Sequence, residues 1–493
     1  MSTDHCPLST VHCPLSTVHC PLSTVHCPLI NTMMEKLKIQ FDAGTLLVDA
    51  PLETDLPLGD IGFVFDARVE AWRGEGLLYS PLIAYLYRNG VPYEDCARGY
   101  NVCKLELRSV RSPRDYQKEA LEAWGRAGRT GVVVLPTGTG KTFLAELAMA
   151  NAGRDTLVVV PTLDLMVQWA QQLEEAFRVK VGMLGGGSKD ILPITVSTYD
   201  SAVLMMDFIG QRFGLLVVDE CHHLPSDYYS RVARGCIAPF RLGLTATPER
   251  TDGGEAQLDE LLGGICFRKD IDEMEGDVLA PYDTQRICVP LYPEEEQTYR
   301  ENHEKYVSFI RRHGIPIGSL EGWGAFLGAC ARFPDGRDAL NAYYIQRKIA
   351  IGSRAKLEAV WHLLCKHNES RIIVFTADNA TAYAIGQRFY LPVLTHHTKA
   401  AERKEFLDMF RSGEYPCLVT SKVLNEGVDV PEADVGIVVS GSGSIREHVQ
   451  RLGRILRPTP GKRAVLYEIL SSGTNEWGTS DRRRQHRAYE RFD

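Results

Sequence analysis

One stretch constrains this chain more than any other: Gly131–Val132–Val133–Val134–Leu135–Pro136–Thr137–Gly138–Thr139–Gly140–Lys141–Thr142. Its first five residues are apolar and mostly β-branched, as a strand buried on both faces requires. Phe143 to Ala150 then has helix-forming composition, and Gly153 follows as a stop. A strand that runs through a glycine-rich turn into a helix lets backbone N–H groups close around phosphate oxygens, aided by the field of the helix N-terminus. Gly138, Thr139 and Gly140 would make that cradle. Lys141 would reach the β- and γ-phosphates, and the Thr142 hydroxyl would hold Mg²⁺.

A second strand pattern, Leu215–Leu216–Val217–Val218, ends at Asp219–Glu220. Asp219 would hold Mg²⁺ through water, and Glu220 would orient and deprotonate an attacking water. Cys221, His222 and His223 follow, but three adjacent residues cannot easily surround one zinc ion, and no second ligand pair has suitable spacing. Near the C-terminus, Ser444 to Leu456 reads as a helix ended at Pro458. Gln450, Arg454 and Arg457 are three or four residues apart and share a face. Such a face is usually solvated. Arginines aimed from it at a γ-phosphate would be worth about 10³–10⁵ in rate.

Taken in order, these segments resemble the motifs of superfamily 2 helicases. Leu135, where the general phosphate-loop pattern has glycine, separates the loop from small GTPases and fits the helicase type. The resemblance gives the intervening segments roles. Arg114 to Gln117 looks like the adenine-recognising Q motif. Pro161–Thr162 looks like motif Ia and Ser197–Thr198 like motif Ib, both strand-binding. His222 and the Thr245–Ala246–Thr247 triplet would couple hydrolysis to strand binding. Thr376 in motif IV and Ser421 at the start of motif V would contact the strand, and Gly427 and Asp429 in motif V would contact ATP. Within the superfamily, Ile237–Ala238–Pro239–Phe240–Arg241–Leu242–Gly243–Leu244 and Ser440–Gly441–Ser442–Gly443–Ser444 are similar to the XPB family's wording, closest to its compact archaeal form. That family has an Arg-Glu-Asp triplet implicated in opening DNA. Here it is Arg250–Thr251–Asp252, which keeps the outer residues and lacks the central acid.

The resemblance implies an α/β fold of two RecA-like parallel-sheet lobes, with a small N-terminal α/β domain and a helical thumb-like insertion. The expected divisions are a repetitive tail over 1–32, a damage-recognition-like domain over 33–105, an ATP-binding lobe over 106–280, and a second lobe over 281–493 with the insertion at about 293–347. It further implies ATP and Mg²⁺ as cofactors, single-stranded DNA and duplex junctions as substrates, 3′ to 5′ polarity, work in excision repair or transcription, and a nuclease partner. An ATP-gated DNA clamp or wedge, or the motor subunit of a restriction system, would use the same motifs. The residues themselves do not discriminate DNA from RNA.

At 493 residues the chain exceeds a single core. A net charge of −8 excludes coating nucleic acid by bulk charge and leaves local phosphate contacts open. Arg482–Arg483–Arg484 reads as part of a solvated terminal helix. Of thirteen cysteines, four lie in the N-terminal repeat and the others have no framework spacing, which points to reduced thiols in the cytoplasm. No apolar stretch of about 18 residues and no signal-peptide core is present, so a cytoplasmic protein without membrane contact is expected. His-Cys-Pro-Leu-Ser-Thr-Val starts identically at His5, His12 and His19. Proline every seventh residue excludes a coiled coil. The expectation is translation of a tandem DNA repeat ahead of a natural start at Met33 or Met34.

Overall fold

The structure, a computed structural model, describes residues 36–108, 111–249, 253–316, 322–421, 433–441, 444–456 and 463–485, the side chains of Ala400 and Arg454 aside. The first described domain is a five-stranded sheet of order β3-β4-β2-β1-β5. Its strands are β1 (Leu37–Asp42), β2 (Thr45–Asp49), β3 (Val64–Asp66), β4 (Ala71–Glu75) and β5 (Tyr93–Asp95), with helices α1 (Leu58–Ile61) and α2 (Tyr79–Arg88). Ile39, Leu46, Val48, Leu82 and Leu86 form its core, and Ile237 from the next domain joins them. Glu75 also pairs with Arg234 at 2.9 Å, and a side-chain carbon on Gly76 would lie only 2.7 Å from Gly235 O. The domain is therefore seated closely on its neighbour.

That neighbour is built on β6 (Thr130–Val134), β7 (Thr156–Val160), β8 (Gly182–Gly185), β9 (Ser188–Lys189), β10 (Ile194–Thr198), β11 (Leu215–Asp219), β12 (Phe240–Thr245) and β13 (Ile265–Arg268). The order is β13-β6-β12-β11-β7-β10-β8-β9, parallel apart from the β8–β9 edge. Every residue of β7, β10 and β11 is buried, because helices cover both faces. These are α3 (Asp115–Arg126), α4 (Lys141–Ala152), α5 (Leu163–Phe177), α6 (Tyr199–Ile209) and α7 (Ser230–Arg234), followed by α8 (Gln257–Leu261) and α9 (Ile271–Met274). Thr162 caps α5 by accepting from Leu165 N, and Thr198 caps α6 by accepting from Ser201 N.

The second lobe carries β14 (Tyr282–Val289), β15 (Ile372–Phe375), β16 (Val393–Leu394), β17 (Cys417–Thr420), β18 (Val435–Val438) and β19 (Ala464–Ser471), in the order β14-β19-β18-β15-β17-β16 and all parallel. Three helices interrupt it after β14: α10 (Pro293–Arg312), α11 (Gly322–Arg332) and α12 (Gly336–Gly352). Pro293 opens α10 and three acids fill its first turn. Tyr306, Phe309 and Ile310 pack with Phe326 and Ala339 into a core belonging to the insertion. The lobe continues with α13 (Arg354–Lys366), α14 (Asn379–Phe389), α15 (Ala400–Ser412), α16 (Ile445–Ile455) and α17 (Glu476–Arg483).

The expectation of a solvated terminal helix is corrected here. Arg483 and Arg484 are buried. Both guanidinium groups face the buried Glu468 on β19, with Arg483 Nε 2.5 Å from its carboxylate. A charge run read in isolation does not reveal an acid on a strand that is otherwise apolar. Among the described residues, no helix is long and apolar enough to cross a membrane.

Candidate active site

The phosphate loop joins β6 to α4 at the carboxyl edge of the first parallel sheet, where such folds bind ligands. Gly138 and Gly140 adopt φ of 86° and 82°, the left-handed region in which side chains are strained. A side-chain carbon on Gly140 would lie 3.0 Å from Gln117 Nε2. Lys141 Nζ donates to Leu135 O at 3.2 Å, folding the ammonium over the loop. The loop is braced from α3: the Tyr116 hydroxyl donates to Thr139 O. Gln117 Nε2 approaches Thr139 O at 3.4 Å and Gly140 O at 3.3 Å, while its Oε1 accepts from Arg114 N at 3.0 Å. Gln117 is buried, so both ends of its amide serve the loop and its own helix. Arg114 is exposed.

Asp219 ends β11, two strands from β6. Its Oδ1 accepts from Glu220 N and its Oδ2 from the indole N–H of Trp169, both at 3.0 Å. Burial raises the Asp219 pKa, as does the charge of Glu220, while Lys141 and the Trp169 donor oppose the rise. Glu220 itself takes φ 47° and ψ 51°, costing roughly 1–2 kcal/mol for a residue with a side chain. Its Oε2 is buried with no hydrogen-bond partner among the described residues and lies 3.4 Å from His222 Nδ1. The same nitrogen is 3.0 Å from Thr245 Oγ1. Thr245 Oγ1 donates to Thr247 O at 3.1 Å and accepts from Thr247 N at 3.2 Å. Glu220, His222, Thr245 and Thr247 thus form one buried chain of polar contacts. A lysine, a threonine hydroxyl and a carboxylate around glycine-opened backbone are the hard-oxygen and cationic groups that a magnesium triphosphate takes. The residues present fit that group.

The expected strand-facing residues divide. Thr162 and Pro161 are partly exposed at the start of α5. Ser197, Thr198, Thr376 and Ser421, all expected to face a strand, are buried rather than presented on the surface. Ser197 Oγ donates to Leu184 O at 3.0 Å, and Thr376 Oγ1 donates to Asp378 O at 2.9 Å. Hydroxyls at the ends of central parallel strands are satisfied by the nearest carbonyls. The Thr198 hydroxyl caps α6. Arg250 and Asp252 lie outside the described residues, as do Gly427, Asp429, Arg457 and the side chain of Arg454.

The second lobe approaches the loop through α16. A side-chain carbon on Gly453 would lie 2.8 Å from Thr137 Cβ. Gln450, one turn earlier, is buried, and its Oε1 has no hydrogen-bond partner among the described residues. Two polar contacts also cross between lobes: Arg403 pairs with Asp164 at 2.6 Å, and Arg446 Nη2 donates to Glu249 O at 2.8 Å. The sequence reading missed Trp169, Tyr116 and Tyr199. Trp169 lies seven residues after Thr162, two helical turns, but an aromatic at that spacing also reads as ordinary core.

Three family models match the chain in succession. They are the xeroderma pigmentosum group B helicase damage recognition domain over residues 39–97, the type III restriction enzyme res subunit over 111–250, and the ERCC3/RAD25/XPB C-terminal helicase over 340–489. The chain is 41% identical to the DNA 3'-5' translocase XPB2 of Sulfurisphaera tokodaii, covering 78% of this chain and 85% of that protein. It is 31% identical to the DNA 3'-5' helicase XPB of Mycobacterium tuberculosis, covering 78% of this chain and 66% of that one. The crystal structure of the Pyrococcus furiosus Hef helicase domain matches with a TM-score of 0.53 at 19% identity, over 76% of this chain and 98% of that domain, a likeness of fold. A relative at this identity over this share of its length settles the family, and the chain belongs to the XPB family of superfamily 2 helicases.

Proposed function

We propose that this protein is an ATP-driven DNA motor that moves 3′ to 5′ and opens duplex DNA in excision repair or transcription. The observation that carries this reading is the buried chain from Glu220 through His222 to Thr245 and Thr247, which ties the hydrolytic acid to the rest of the lobe. Arg114 and Gln117 flank the adenine. Gly138, Thr139, Gly140 and Lys141 hold the phosphates, and Thr142 and Asp219 hold Mg²⁺. When bound, Mg²⁺ neutralises charge that develops on the phosphate oxygens. Glu220 orients the attacking water and takes its proton on the carboxylate as the bond to the leaving phosphate oxygen breaks. From lobe two, Gly427 and Asp429 complete the pocket, and Gln450, Arg454 and Arg457 stabilise charge across the cleft. With Ser197, Thr376 and Ser421 buried, strand phosphates bind at the N-termini of α5 and α6, beside the partly exposed Thr162 and the first turn that the buried Thr198 caps, where backbone N–H groups favour anions.

The relatives' names, which specify DNA and 3'-5' direction, support the substrate and polarity. Resemblance to archaeal members extends the reading to a nuclease partner, and cysteines without framework spacing extend it to a cytoplasmic protein. The test is ATP hydrolysis without nucleic acid, with single- and double-stranded DNA, and with RNA, beside Lys141→Ala. Strong DNA stimulation that disappears in Lys141→Ala is expected. RNA-selective stimulation would move the protein to an RNA role, and turnover indifferent to every polymer would remove the motor reading.

A further inference from the structure

Two helices of lobe one begin at the proposed strand track and end their influence at the acidic pair. Thr162 caps α5, and two turns later Trp169 is buried with its indole N–H on Asp219 Oδ2 at 3.0 Å. Thr198 caps α6, and the next residue, Tyr199, is buried with its hydroxyl 3.0 Å from Asp219 O and 3.2 Å from Glu220 O. One phenolic proton is shared between two carbonyls, those on either side of the Glu220 α-carbon. Burial pushes the Tyr199 pKa well up, so the phenol stays a donor. Glu220 occupies left-handed backbone, and such a conformation persists only where its surroundings over-determine it. Tyr199 supplies that restraint at the backbone, while Trp169 fixes the carboxylate beside it. The remaining lone pairs of Asp219 stay available for a metal-bound water.

We infer that Trp169 and Tyr199 are positioning residues that make ATP hydrolysis responsive to strand binding, by a route through α5 and α6 separate from the His222–Thr245 contact. This rests on the motor reading above. A phosphate drawn to the start of either helix shifts a rigid rod whose aromatic side chain holds the acidic pair, so the strand alters the geometry of Asp219 and Glu220 directly. The aromatic rings are packing that any buried helix needs. The donor atoms are what this role requires, and they can be removed separately.

Trp169→Phe and Tyr199→Phe keep the rings and delete one N–H and one O–H. In the full-length protein, steady-state kinetics with and without single-stranded DNA separate kcat from KM. A fluorescent ATP analogue titrated at rising Mg²⁺ reports metal-dependent binding independently of turnover. Both variants are expected to lower the ratio of DNA-stimulated to basal kcat by about tenfold, in the range of coupling between distinct sites. KM for ATP should stay within about twofold. Trp169→Phe should also raise the Mg²⁺ concentration needed for half-maximal analogue binding, because Asp219 is no longer held. An unchanged stimulation ratio with unchanged Mg²⁺ dependence, in a protein whose wild type is stimulated, overturns the link while sparing the motor reading. Equal loss of basal and stimulated turnover, accompanied by a lowered melting temperature, also overturns it, since that is what a packing role alone produces. A wild type that DNA fails to stimulate removes the motor reading and the link with it.

Discussion

Single buried ions show how much of lobe two depends on individual atoms. Lys356 is fully buried, its Nζ 2.7 Å from Val439 O and 2.8 Å from Glu476 Oε1. Burial lowers its pKa, and the facing Glu476 carboxylate resists that shift. Glu476 Oε2 in turn accepts from Ser471 N at 2.9 Å, so the ion pair fastens α13 to the end of β19 and the start of α17. Lys356→Met keeps most of the stem and deletes the charge, leaving Glu476 buried without its cation. Breaking a buried pair from one side costs about 3–5 kcal/mol. Urea unfolding of the variant should show the transition of lobe two at a clearly lower midpoint. The double variant Lys356→Met/Glu476→Leu should recover part of the loss, since no unpaired buried charge remains. A midpoint equal to that of the wild type in the single variant would mean that the pair does not fasten these elements.

At the scale of elements, α16, α17 and β14 gather arginines around one buried histidine. His448 on α16 is buried, and desolvation holds its pKa well below the ordinary value, with Arg483, Arg451, Arg484 and Arg286 acting in the same direction. In the unfolded chain a histidine takes up a proton near pH 6.5. The folded His448 does so only at much lower pH. The unfolded state therefore binds more protons below pH 6.5, and stability is fully present above that pH and is lost as pH falls. One such proton changes stability by up to about 1.4 kcal/mol per pH unit. His448→Gln should flatten the melting temperature against pH between about 6.5 and 5, and identical slopes in both proteins would refute this. Little of this cluster was legible in the sequence. The strands leading into the two motifs were, because apolar runs such as Leu215 to Val218 are buried on both faces and have few other uses. The phosphate loop and Asp219–Glu220 were legible because their chemistry follows a strand end directly. The partners Trp169, Tyr199 and Glu468 were not, because each is an ordinary helix or strand residue until the packing sets what it faces. The inward turn of Ser197 and Thr376 was hidden for the same reason: a hydroxyl at a strand end looks alike whether a neighbouring carbonyl or a phosphate receives it.

For the whole molecule, the question is how closely the two lobes must meet for the site to be complete. Lobe one holds the loop and the acidic pair, while α16 of lobe two approaches the loop at Gly453. The absence of a side chain there sets the distance of approach: a β-carbon would lie 2.8 Å from Thr137 Cβ, an atom next to backbone that cannot swing away. Gly453→Ala should therefore separate the lobes while leaving each one intact. Two effects of this substitution have opposite signs. Alanine favours the interior of a helix over glycine by about 1 kcal/mol, so α16 itself becomes more stable. The collision lies only at the contact between lobes, where groups in the cleft must align within a fraction of an ångström for hydrolysis. The variant should keep or slightly raise its melting temperature and still lose about tenfold or more in kcat. Calorimetry and steady-state ATP hydrolysis on the same preparation separate the two effects. Undiminished turnover would mean that the lobes react at a wider spacing than this contact sets, whereas joint loss of stability and turnover would mean that Gly453 serves the fold of lobe two rather than its meeting with lobe one.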